Sequence, residues 1–306
     1  MEFAMKAIVS IMIVILMFGN CSDRPQDTSQ ETEIQIGWAS AFVESNGIRI
    51  HYWRTRGSGK PILIMAHGIT DYGLNWTSLA RKFENDYDII MYDARGHGLS
   101  AKPEGPYDLK SHVEDLAGLI QALGIEKPIL MGHSMGGGTV ALLSANYPGI
   151  PRAVILEDPA DMIVHEQPMT EDVIPGWKKM IEEDKARGKQ GLIELARRER
   201  HKGWTDLDYE LWAESKLLVN PSVVTILEGD GFGNAIETYS KITAPTLILK
   251  ADAKEESRDQ HREIARHLKN GKIVHIDGAG HVIRNDRPAE TEKVIREFLA
   301  SLAPAS

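Results

Sequence analysis

Residues 129–137 read Ile-Leu-Met-Gly-His-Ser-Met-Gly-Gly, an apolar run that stops at Gly132-His133-Ser134-Met135-Gly136. The pattern G-x-S-x-G directly after a strand-like run predicts a nucleophile elbow, in which a tight strand-to-helix turn lifts a serine above the sheet edge. The turn is so sharp that the positions two before and two after the serine have no room for a Cβ, which accounts for Gly132 and Gly136. The same turn places Ser134 at the positive end of the following helix.

Working outward, further short apolar runs lie at 62–66, 89–92, 154–157, 246–250 and 273–276. Nearly continuous apolar strands suit a sheet covered on both faces. Helical stretches separate them, so the connections are crossovers and the strands run parallel. Segment 111–124 is one such helix, with Val113, Leu116, Leu119, Ile120 and Leu123 at helical spacing. Upstream, Asn46-Gly47 sits between β-like runs, which predicts a hairpin with positive φ at both turn positions. Between about 160 and 240 the strand rhythm fails. Helical, charged segments at 177–189, 192–201 and 207–218 carry Trp177, Trp204 and Trp212. This interval is expected to be a helical lid inserted after the sixth strand.

A serine hydroxyl needs a base, and a base needs an acid to hold its tautomer. His281, in Gly278-Ala279-Gly280-His281 after the last strand, is the expected base. Asp252, after the strand 246–250, is the first choice of acid, because Ser, Asp, His is then the chain order. Glu255 and Glu256 beside it, and Asp158 or Asp161 after the strand 154–157, are the alternatives. The oxyanion donors are expected to be the backbone N–H groups of Met135 and of Ile69 in His67-Gly68-Ile69-Thr70. Tyr72, Trp177, Trp204 and Trp212 are candidate pocket residues, although a lid tryptophan more often packs its own helices together. His165, Glu166 and His201 lack metal-ligand spacing, and neither a metal nor a cofactor is expected.

Composition narrows the alternatives. The chain has 306 residues and a formal net charge of -9, with no basic face for nucleic acid. Its single cysteine, Cys21, can close no intramolecular disulfide. Lys6 precedes an apolar run over residues 7–18, followed by Gly19-Asn20-Cys21 and a polar stretch. Twelve residues, apolar apart from Ser10, are too short to span a bilayer comfortably and suit a secretory signal. The segment resembles a bacterial lipoprotein signal. Residues 1–20 are therefore expected to be removed, 21–36 to form a polar tether with a lipid anchor at Cys21, and 37–306 to form one domain of an exported protein. The oligomeric state is left open.

The chain resembles the α/β-hydrolase superfamily over about residues 37–306. The resemblance rests on His67-Gly68 with Trp76, Asp93-Ala94-Arg95-Gly96-His97-Gly98-Leu99-Ser100, Gly132-His133-Ser134-Met135-Gly136 and Gly278-Ala279-Gly280-His281. It implies a mostly parallel eight-stranded sheet with a helical lid, and a structural role for 93–100. Epoxide hydrolases and haloalkane dehalogenases of this fold use aspartate at the elbow. Ser134 therefore implies an acyl-enzyme with a small-molecule carboxylic ester or lactone. His67-Gly68-Ile69-Thr70-Asp71, Leu156-Glu157-Asp158-Pro159 and Gly280-His281-Val282-Ile283-Arg284 look like a branch that includes serine-dependent macrolide esterases. Against these stand a general short-chain carboxylesterase and a hydrolase-fold ligand receptor with little turnover.

Overall fold

The computed structural model describes residues 37–55, 57, 59–162, 172–199, 203–228 and 231–302. The expected signal, tether and Cys21 lie outside these residues, as do His165, Glu166 and His201. Eight strands form one sheet: β1 (Ala39–Ser45), β2 (Ile48–Arg54), β3 (Ile62–Ala66), β4 (Asp88–Tyr92), β5 (Ile129–His133), β6 (Ala153–Glu157), β7 (Thr246–Lys250) and β8 (Gly271–His275). The helices are α1 (Thr77–Phe83), α2 (Leu109–Ala122), α3 (Met135–Asn146), α4 (Val173–Glu199), α5 (Asp206–Leu218), α6 (Ala235–Lys241), α7 (Glu255–Ala265), α8 (Ile283–Asp286) and α9 (Pro288–Ser301).

The sheet order is β1-β2-β4-β3-β5-β6-β7-β8. β1 and β2 form the expected hairpin, with Asn46 at φ 48 and Gly47 at φ 77. β2 is antiparallel to β4, and every pairing from β4 to β8 is parallel. Side chains alternate between two apolar layers, as the period of two in a strand dictates. Ile64, Ile90, Leu130, Val154, Leu156 and Ile248 face a layer completed by α2, α3 and α6. Leu63, Met65, Ile89, Met91, Met131, Ile155 and Leu249 face the layer of α1 and α9. Both faces are buried, so the strands read in sequence as unbroken apolar runs.

Among the described residues, the interval between β6 and β7 holds no strand. α4 breaks at Gly188 (φ 68, ψ 170), which divides the long helical stretch as the sequence spacing suggested. α4 and α5 pack through Leu192, Ala196, Trp204, Tyr209, Trp212 and Ala213. α6 belongs to the main layer, because Ala235 and Tyr239 are buried in the core shared with α3.

Candidate active site

Ser134 follows β5 with φ 52 and ψ -115, a conformation that a non-glycine residue adopts only when its surroundings impose it. The two flanking glycines are the imposed surroundings. A Cβ on Gly132 would sit 2.2 Å from the Gly136 oxygen, and one on Gly136 would sit 2.3 Å from the Ala66 oxygen. Both obstacles are backbone, so neither can turn aside. We therefore expect Gly136→Ala to cost about 4 kcal/mol or more, read as loss of soluble protein or a collapsed melting temperature. The Ser134 N–H donates to Glu157 O at 3.0 Å, and the serine is only 8% exposed.

The loop after β3 supplies the second half of the site. His67 accepts the Ala94 N–H at Nε2 (2.9 Å), so its Nδ1 carries the hydrogen and donates to Gly68 O (2.8 Å). Burial and neighbouring His97 push the His67 imidazole down to about 3, so it stays neutral in this role. Gly68 O also accepts from the Asp71 N–H. In a trans peptide the C=O and N–H point in opposite directions. Pinning Gly68 O therefore aims the Ile69 N–H the other way, out of the loop. Among the described residues, neither the Ile69 N–H nor the Met135 N–H has an acceptor. Both donors are therefore open to a ligand oxygen. Segment 93–100 is structural as expected: Asp93 accepts from the Gly73 and Leu99 N–H groups and pairs with His51.

His281 stands on the loop between β8 and α8. Its carbonyl accepts from His133 Nε2 at 2.9 Å, and the two rings lie 4.7 Å apart. The residue preceding Ser134 thus seats the histidine loop. His281 Nδ1 lies 2.6 Å from Asp158 Oδ2, not against Asp252. Asp158 sits just beyond β6 at φ 40, 9% exposed in its side chain, and its Oδ1 meets Lys250 Nζ at 2.5 Å. Burial opposes ionisation of Asp158. The hydrogen bond from His281 and the Lys250 ammonium outweigh it and hold the carboxyl well below the ordinary carboxylate range.

This corrects the first choice of acid. Asp252 is 44% exposed, accepts from Arg258 at 2.6 Å on Oδ1, and accepts from the Gly278 N–H at 2.8 Å on Oδ2. Both of its oxygens brace the turn that leads into the histidine loop. Glu255 pairs with Arg262 instead of His281. Glu256 opens α7 and is exposed. Asp161 accepts from Tyr239 Oη at 3.2 Å.

The linkage sign for Asp158 is that of a depressed acid: its stabilisation is complete above the ordinary carboxylate value and is lost as pH falls through the lowered one. Asp158→Asn also strands the buried Lys250. The urea midpoint of the variant should fall at pH 7, and the gap to wild type should narrow as pH drops from about 4 toward 2.

The aromatic candidates divide. Trp177 packs with Ile69, Tyr107, Ile181, Val219, Val223 and Val224, beside the oxyanion loop. Trp204 and Trp212 pack α4 and α5 together, and both line a cavity with Asp71, Leu211, Val282 and Arg284. Ser134 does not border that cavity. Tyr72, expected at the pocket mouth, is 2% exposed, and burial beside Glu214 holds its phenol well above its ordinary value. Among the described residues no three His, Cys, Asp or Glu side chains converge as a metal site, and no helix is long and apolar enough to cross a membrane.

Residues 61–287 match the sequence profile of the alpha/beta hydrolase fold. The chain belongs to this family. It is 28% identical to the 2-(acetamidomethylene)succinate hydrolase of Mesorhizobium japonicum over 255 residues, 80% of this chain and 90% of that one. It is 24% identical to Epoxide hydrolase 1 of Caenorhabditis elegans over 302 residues, 88% of this chain and 72% of that one. Among solved structures, a bacterial membrane phospholipase A superposes with a TM-score of 0.72 at 25% identity, covering 88% of each chain. This α/β-hydrolase is thus similar to enzymes whose names share hydrolysis and differ in the bond cleaved.

Three contributors to the site carry weak local signals in the sequence. Asp158 reads only as an alternative acid. Lys250 looked like the end of a strand. Lys216 falls within the charged helical segment 207–218 and carries no local signal of its own. A lysine ending one apolar strand and an aspartate just beyond the neighbouring one are the signal by which the first two could be found.

Proposed function

We propose that this α/β-hydrolase cleaves a carboxylic ester or lactone through an acyl-enzyme on Ser134. The observation that carries the reading is the His281–Asp158 pair at 2.6 Å, on a loop tied to His133 next to the strained serine. Ser134 Oγ attacks the substrate carbonyl carbon while His281 takes its proton. The carbonyl oxygen becomes an oxyanion in reach of the Ile69 and Met135 N–H groups. Collapse expels the alkoxide, which His281 protonates. Water then attacks the acyl-enzyme, giving its proton to His281, and the acid leaves as Ser134 Oγ regains a proton. Asp158 holds the imidazole in the Nδ1–H tautomer and stabilises the transient imidazolium. The similarity to a succinate-derivative hydrolase and to a phospholipase A supports hydrolysis of an acyl bond.

Within this reading the alcohol and acyl groups are open, and macrocyclic lactones such as macrolides form one arm of the test. The protein is incubated with short-chain esters, small lactones and large-ring macrolides. Mass spectrometry reads acid release from esters and gain of one water by lactones, with Ser134→Ala as blank. Water gained by macrolides alone assigns a lactone esterase, and turnover of simple esters alone assigns a general carboxylesterase. No hydrolysis across the panel, or hydrolysis undiminished in the blank, overturns the proposal. The apolar run and Cys21 add export as a second proposal, tested by the mass of the mature N-terminus in a bacterial membrane fraction.

A further inference from the structure

The inserted helices reach into the oxyanion loop at one buried point. Lys216, near the end of α5, directs its ammonium to Thr70 O (2.8 Å), Thr70 Oγ1 (2.8 Å) and Asp71 Oδ1 (3.1 Å). Its side chain is 7% exposed and lies over the Trp212 ring. Burying an ammonium is costly unless its three hydrogens find acceptors. Here three acceptors among the described residues belong to the two residues that follow Ile69.

Three successive peptide planes of this loop are pinned through their carbonyl oxygens. Gly68 O is held by His67, Ile69 O lies 2.7 Å from His97 Nε2, and Thr70 O is held by Lys216. The first two anchors belong to the sheet and its own loops. The third comes from the insertion. A parallel tie exists on the histidine side, where Trp204 Nε1 donates to Asp286 Oδ1 and Asp286 Oδ2 accepts from the Gly280 N–H. The insertion therefore grips both loops that flank Ser134.

We infer that Lys216 is a positioning residue for the oxyanion hole, so that the seating of α5 sets the aim of the Ile69 N–H. This rests on the proposed acyl-transfer role of the site. Such a donor acts by being held in place before charge develops, and a displacement of about 1 Å at a reacting group can cost 100-fold. Lys216→Met removes the tether without touching Ser134, His281 or Asp158. Thr70→Val keeps the size of a half-buried side chain and removes one of the three acceptors, which serves if the first variant fails to fold.

The test is the second-order rate of phosphonylation by an alkyl fluorophosphonate, which requires no knowledge of the natural substrate and builds charge on the phosphoryl oxygen. Lys216→Met should react about 10- to 100-fold more slowly than wild type, Thr70→Val about 3- to 10-fold more slowly, and Lys216→Arg should recover most of the rate. On any ester the panel identifies, the loss should fall on kcat with KM changed less than about threefold, because the tether serves the transition state alone. A purely structural role would lower the melting temperature of Lys216→Met and leave the labelling rate of its folded fraction unchanged. Equal labelling rates in wild type, Lys216→Met and Thr70→Val overturn the inference alone. Absence of labelling in wild type overturns the acyl-transfer reading and the inference with it.

Discussion

Ser134→Ala should lower turnover of any ester or lactone substrate by about 10⁶-fold and leave the melting temperature within about 2 °C. The rate falls because alanine has no hydroxyl to attack the carbonyl carbon and form the acyl-enzyme. Stability is spared because the hydroxyl is not what holds the elbow. The turn is kept by the contacts of Gly132 and Gly136 with backbone and by the Ser134 N–H bond to Glu157 O. Alanine tolerates φ 52 no better and no worse than serine, so the strain carries over unchanged. A single-turnover assay at high enzyme concentration checks the rate, and thermal unfolding checks the fold. Retained hydrolysis would remove Ser134 from the mechanism.

The second large effect separates two aspartates. Asp158→Asn should reduce kcat by about 10⁴-fold, since an amide in place of the carboxylate favours the wrong imidazole tautomer and cannot stabilise the imidazolium. Asp252→Asn should change kcat less than about tenfold, because Asp252 only braces the turn at Gly278 through an exposed pair with Arg258. The stability readouts should also diverge. Asp158→Asn leaves Lys250 buried and unpaired, at a cost of about 3–5 kcal/mol. Asp252→Asn retains an acceptor for Gly278 and loses little. Comparing kcat and urea midpoints of the two variants side by side checks both points. The opposite ranking would return the acid to the loop after β7.

The contrast shows where the sequence is legible. The parallel sheet is written in it, since strands buried on both faces must be apolar at every position and crossover helices leave amphipathic stretches between them. The elbow is written there too, because two backbone collisions leave only glycine at 132 and 136. The hairpin at Asn46-Gly47 follows from the same logic of positive φ. The acid is not encoded in this local way. Asp252, Glu255, Glu256, Asp158 and Asp161 all follow strand ends and are equivalent in composition. What separates them is long-range capture. Arg258 and the Gly278 N–H occupy Asp252, whereas Lys250 and His281 converge on Asp158 from β7 and from beyond β8. The tie from Lys216 to Thr70 spans 146 residues and leaves no periodic trace. Tyr72 is hidden from a local reading for a related reason, since Glu214 of α5, more than a hundred residues downstream, lies beside its buried ring. α6 is short and polar on one side, so its place in the main layer shows only through the burial of Ala235 and Tyr239 in the core.

The central claim is that Ser134 carries the acyl group, and acid-quenched mass spectrometry during turnover of 4-nitrophenyl acetate tests it most directly. The protein is mixed with the ester, quenched within milliseconds, digested and mapped. An acetyl group on the peptide containing Ser134, forming with the burst of nitrophenol and absent from Ser134→Ala, is the predicted result. Turnover with an acyl group on another residue, or turnover undiminished in Ser134→Ala, would contradict the account.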